Sequence, residues 1–100
     1  MTSRHYQKDR IFREQVIQSI GSGNIIKSVV IDRGHPKGAE LHELSDTGII
    51  NIYNQKTHLL ITRFIATPNQ VRRYYNPNEI VPAFLIALAI QHKHLSIITH

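Results

Sequence analysis

A chain of 100 residues, 41% of them hydrophobic, is long enough for one domain with its own core and too apolar to stay disordered. The absence of cysteine excludes disulfides, thiolate zinc sites and a cysteine nucleophile, and it fits a reducing, cytoplasmic setting. Twelve Lys and Arg against seven Asp and Glu give a net charge of +5 and a pI near 9.9, which favours an anionic partner such as nucleic acid.

The N-terminal stretch MTSRHYQKDR is polar and lacks the apolar centre of a signal peptide. Phe12, Val16 and Ile20 then recur at spacing four, with Ile17 beside them, and predict a helix over residues 4–20. Arg10, Arg13 and Glu14 fall largely off that stripe. Gly21-Ser22-Gly23-Asn24 stops the helix and turns the chain. Residues 25–32 (IIKSVVID) are rich in β-branched side chains and read as a strand. RGHPKG, residues 33–38, is a loop. Residues 39–44 alternate apolar and polar, as a short strand does. Ser45-Asp46-Thr47-Gly48 is a turn, residues 49–53 a strand, residues 54–57 a second turn, and residues 59–66 a further strand.

Thr67 is placed to cap a short helix that Pro68 opens and that carries Arg72, Arg73, Tyr74 and Tyr75. Asn76-Pro77-Asn78 resets the chain, and a last helix is expected from residue 79 to about 92, with Pro82 in or just past its first turn. Ile80 and Ile90 bound eleven residues without a polar side chain. A membrane-spanning helix needs about 20 such residues, so no membrane partner is expected. The segment reads instead as a buried central helix or as half of a homodimer interface. His92-Lys93-His94 reads as an exposed helix end, and the tail from Leu95 as an added strand or dimer contact. The sum is an α+β domain: three or four antiparallel strands packed on helices, with the other sheet face open.

The densest reactive stretch is DRGHPKGAELHE, residues 32–43. His35 and Lys37 share the loop, and His42 lies on the strand that returns from it. If the loop reverses the chain, two imidazoles flank a cation. Cleavage of RNA by its own 2′-OH needs a base, an acid and a cation for the charged phosphorane. Histidine suits both proton transfers. A polar surface hairpin accounts for the same residues without any chemistry. Asp32 and Glu43 read as partners for neighbouring cations. Thr62 and Arg63 lie on an otherwise apolar strand and must face opposite ways. Arg33, Arg72 and Arg73 can grip phosphate, and Tyr74 can stack on an unpaired base. His35 and His42 lack metal-ligand spacing, so no metal or cofactor is expected. Gly21-Ser22-Gly23 precedes a strand, not a helix, which removes a phosphate-binding turn, and no nucleophile elbow is present.

Gly34-His35-Pro36-Lys37-Gly38, His42 and the hairpin GIINIYNQKTHLLITRF, on a small basic helix-and-sheet domain, resemble the barnase–EndoU–colicin E5/D–RelE-like superfamily of metal-independent ribonucleases. Its members include toxins and domains encoded by phages and mobile elements. The resemblance implies RNA cleavage by general acid–base chemistry. It implies His35 or His42 as base or acid, Lys37 and Arg63 as phosphate stabilisers and Thr62 as a positioning group. It also implies RNA as the partner and, for a toxin, a neutralising protein. The charge and the Arg72–Arg73 pair fit a nonenzymatic accessory module that grips nucleic acid or protein equally well.

Overall fold

The computed structural model describes the backbone of residues 3–21 and 23–98 and the side chains of residues 11, 13–21 and 23–93. Among these residues the order is α1 (Ser3–Ile20), β1 (Ile25–Ile31), β2 (Glu40–Ser45), β3 (Ile49–Asn54), β4 (Leu60–Ile65), α2 (Pro68–Arg73) and α3 (Ala83–Ile98). The strands form one antiparallel sheet in the order β1-β2-β3-β4, so each strand pairs with its neighbour in sequence. Short turns make this possible, because antiparallel neighbours need no crossover. The α+β fold, with an N-terminal helix, an antiparallel sheet and a last helix after it, is as the sequence predicts.

Register decides which side chains share a face. Val29, His42, Ile52 and Thr62 form one row across the sheet, and Lys27, Leu44, Ile50 and Phe64 form another. Directly paired residues point the same way, so both rows lie on one face. Leu44 and Ile50 on that face meet Val71 of α2 and Leu85 and Ala89 of α3, and Ile52 and Phe64 pack against them. This is the main core. The opposite face carries Asn51 and Arg63, and α1 packs there against β4: Arg63 donates to Glu14 at 2.8 Å. The helices therefore cover both faces, not one as the sequence predicts. The second face also holds Ile49, which is fully buried, and an apolar row there needs cover as much as the first does. Of the predicted α1 stripe, Ile17 is buried and Val16 and Ile20 are half-buried; Phe12 lies outside the described side chains.

Two turns are tied together at one end of the sheet. Gly23 sits at φ +66°, where a Cβ would also run into Asp46 and Thr47. The space it leaves lets Asn24 donate its N–H to Asp46 Oδ1 at 3.0 Å while Asp46 N–H donates to the Asn24 carbonyl at 2.8 Å. The α1–β1 turn is thus held on the β2–β3 turn.

The short helix starts as predicted. Thr67 Oγ1 accepts from Gln70 N–H at 3.2 Å, Gln70 Oε1 accepts from Thr67 N–H at 2.8 Å, and Pro68 opens α2. The last helix differs. It begins at Ala83, because Pro82 has no N–H to give and holds the residue before it extended; the Pro82 carbonyl accepts the first bond, from Leu85 at 3.1 Å. It also runs on through residues 92–94 to Ile98, so those residues are helix interior and the described part of the tail is not a strand. Leu85, Ala89 and His92 are its buried side, whereas Phe84 and Ile90 are 49% and 45% exposed. The helix is one-sided and not buried all round. No helix among the described residues is long and apolar enough to cross a membrane.

Candidate functional site

The helices leave uncovered the end of the first face where β1 runs into the 33–38 loop. Asp32 starts that loop by accepting the Gly34 N–H at 2.9 Å, and Gly34 takes a positive φ of 72° that a side chain would resist. Asp32 is therefore a turn former, where the sequence suggested an ion-pair partner. The His35 carbonyl accepts the Gly38 N–H at 2.9 Å and its Nδ1 accepts the Lys37 N–H at 3.2 Å. The ring is oriented by its own loop, and its Nε2 has no hydrogen-bond partner among the described residues. Asn54, at the end of β3, then ties the loop down: its Nδ2 donates to the Lys37 carbonyl at 3.0 Å.

The result is a cavity of about 400 Å³ with Ile31 and Ile61 as apolar lining and Arg33, His35, Lys37, Glu40 and Asn54 as polar lining. Among the described residues Glu40 is its only carboxylate. Arg33 Nη1 donates to Glu40 Oε1 at 3.1 Å. The same oxygen lies 3.0 Å from His42 Nε2, and His42 Nδ1 lies 2.6 Å from the Tyr74 hydroxyl. An ionised carboxylate only accepts, so Nε2 carries a hydrogen and donates to Glu40; in the neutral ring Nδ1 then accepts from Tyr74. His42 is 5% exposed and lies beneath Tyr74, their ring centroids 5.5 Å apart. Tyr74 is brought there by α2, whose following residues are anchored on β1. Lys27 donates to Glu79 at 2.8 Å, and its ammonium lies 5.0 Å from the Tyr75 ring centre.

The electrostatics follow from these contacts. The hydrogen bond from His42 holds the Glu40 carboxyl below the usual carboxylate range, and the charges of His42, Arg33 and His35 add to it against a smaller opposing effect of burial. Burial pushes the Tyr74 hydroxyl up, so it stays protonated at neutral pH.

The predicted residues therefore fall into separate groups. Arg33, His35 and Lys37 gather around the cavity; His42 does not line it but stands behind Glu40. Thr62 is exposed on the same face as His42, two strands away in the same row. Arg63 is on the opposite face, bound to Glu14, so it is not brought to the cavity. Arg72 is exposed and donates to Asn69 at 3.3 Å, while Arg73, also exposed, is near enough for its charge to act on Tyr74. Glu40 is the residue that the sequence pattern did not single out. A signal for it exists: Glu40 and His42 are two apart on a strand and so share a face.

A second cavity, of about 530 Å³, lies where α1, β4, α2 and α3 meet, with Arg13, Phe64, Gln70, His92 and Lys93 in its lining and no carboxylate among the described residues. His92 is buried against Gly48, and its Nδ1 has no hydrogen-bond partner among the described residues. No group of three or more His, Asp or Glu side chains that could hold a metal ion occurs among the described residues. No family model matches the chain, and no curated protein or solved structure matches it.

Proposed function

We propose that the chain is an endoribonuclease that cleaves RNA in the His35–Lys37–Glu40 cavity without a metal ion. The observation that carries this reading is one cavity lined by a carboxylate, an imidazole and two cations. Glu40 Oε2 accepts no hydrogen bond from a described residue and takes the proton of a ribose 2′-OH. The 2′-oxygen attacks the adjacent phosphorus, and Arg33 and Lys37 stabilise the charged phosphorane. As the bond from phosphorus to the 5′-oxygen breaks, His35 gives that oxygen the proton on Nε2. The ring does so as an imidazolium, which takes its second proton on Nδ1 in place of the bond that Nδ1 accepts from Lys37 N–H. The products are a 2′,3′-cyclic phosphate and a free 5′-hydroxyl. The base role thus moves from an imidazole to Glu40, because both ring nitrogens of His42 are engaged. The resemblance of the 34–38 loop and the hairpin to the metal-independent ribonucleases points the same way.

The test is cleavage of single-stranded RNA in excess EDTA, with the ends of the products identified. Glu40→Gln and His35→Ala should each slow cleavage on the order of a hundredfold or more, the usual worth of a positioned acid or base. Cleavage that survives both substitutions overturns the assignment. The nonenzymatic reading has its own support, because with His42 buried only one imidazole among the described residues lines the cavity. Tight, salt-dependent RNA binding by the wild-type chain with no cleavage under any of these conditions decides for it.

A further inference from the structure

Tyr74 and His42 have contacts that neither base stacking nor simple packing explains. If Tyr74 only filled space above the sheet, a phenylalanine would serve as well. Its hydroxyl instead lies 2.6 Å from Nδ1 of an imidazole that is almost wholly buried. That imidazole uses its other nitrogen on Glu40, at 3.0 Å. The chain of contacts runs from the end of α2, along the sheet face that it covers, to the carboxylate that lines the cavity.

We propose that His42 and Tyr74 are positioning residues: Tyr74 fixes the hydrogen of the His42 ring on Nε2, and His42 then fixes Glu40 in place as the base. This rests on the ribonuclease reading. Both bonds to Glu40, from His42 Nε2 and from Arg33 Nη1, land on Oε1. The carboxylate is therefore clamped through one oxygen while the other is left for substrate. A buried imidazole whose tautomer is set from behind is a firmer clamp than a surface ion pair, which exchanges with water. In the other tautomer, the Nε2 lone pair would face the carboxylate and push it aside or demand its proton. The charged and titratable groups around Glu40 are His42 on its own strand, Arg33, His35 and Lys37 from the loop, and Tyr74 from the end of α2, on which the charge of Arg73 acts in turn. The pairing also accounts for the tyrosine at the very end of a six-residue helix. The Thr67–Gln70 cap at the other end and the Lys27–Glu79 contact beyond it leave Tyr74 little freedom to move.

The test uses the full chain with Tyr74→Phe, His42→Phe and Tyr75→Phe as a matched control. Tyr74→Phe keeps the ring and removes only the hydroxyl. It should lower kcat roughly tenfold at nearly unchanged KM, the typical effect of losing a supporting hydrogen bond behind a working group. Nitrogen chemical shifts of His42 should at the same time lose the fixed Nε2–H form. His42→Phe should move the carboxyl titration of Glu40, followed by carbon NMR, upward toward the ordinary carboxylate range. The acid limb of the cleavage profile should rise with it. Unchanged kcat and unchanged His42 shifts in Tyr74→Phe, or an unmoved Glu40 titration in His42→Phe, overturn the proposal. The NMR readouts need no substrate. If the wild-type chain cleaves no RNA, the ribonuclease reading fails while the titrations still decide whether His42 and Tyr74 hold Glu40.

Discussion

Glu40 and His42 stand two apart on β2, and the pleat alone puts them on the face that α2 and α3 cover. Residue identity points to two imidazoles across a loop; strand parity pairs one of them with a carboxylate. His92 shows the same effect of position. The sequence makes it part of an exposed helix end, yet it is 8% exposed, in the interior of α3 and against Gly48. Burial pushes its imidazole below the ordinary histidine value of 6.5. The sign of the consequence is fixed. Above pH 6.5 the ring is neutral whether the chain is folded or not, and this residue adds no pH dependence. As the pH falls below 6.5 the unfolded chain takes up the proton first, and stability is lost until the folded value is passed. Urea midpoints measured at pH 8 and pH 5 should therefore fall more for the wild type than for His92→Leu, which fills the site but binds no proton. Equal losses in the two chains would show that His92 does not sense acid.

The elements legible in the sequence are those whose chemistry is local. Thr67, Pro68 and Gln70 announce α2 because a capping box lies within four consecutive residues. Thr67→Ala should lower stability by about 1 kcal/mol, read from the denaturation midpoint, since it removes one of the two reciprocal bonds. The strands and turns from β1 to β4 are legible for the same reason: Gly34 and Gly48 take positive φ, and Asn54 accepts the N–H groups of Lys56 and Thr57 at 3.0 Å each. What is not legible depends on contacts far along the chain. The burial of His42 needs Tyr74, 32 residues later, and the bond that turns Arg63 away from the cavity needs Glu14, 49 residues earlier. No local pattern carries that. Asn54 has a local and a distant role at once, which makes it separable. Asn54→Asp keeps the oxygen that closes the turn and loses the Nδ2 donor that holds the Lys37 carbonyl. Stability should change by about 1 kcal/mol or less. KM for RNA should rise severalfold as the His35–Lys37 loop is released. An unchanged KM would mean that the loop keeps its form without the tether.

At the scale of the molecule, the net charge of +5 is spread unevenly in its effect. Among the described residues three Lys or Arg cations are used internally: Lys27 on Glu79, Arg33 on Glu40 and Arg63 on Glu14. Lys37 at the first cavity, and Arg13 and Lys93 at the second, have no carboxylate partner among the described residues. Both cavities are thus electrostatically open to a polyanion, and the salt dependence of binding separates them. Each phosphate neutralised on a single strand contributes about 0.7 to the slope of log affinity against log salt. A short 2′-O-methyl RNA cannot use its 2′-oxygen as nucleophile, so binding can be followed by anisotropy without cleavage. If the strand lies in the first cavity, Arg33→Ala with Lys37→Ala should reduce the slope by about 1.4, the share of two neutralised phosphates. Arg13→Ala with Lys93→Ala should leave the slope where it was. The reverse pattern would move the RNA to the second cavity, away from Glu40 and His35. A slope unaltered by either pair would mean that binding runs through the exposed Arg72 and Arg73 on α2 instead.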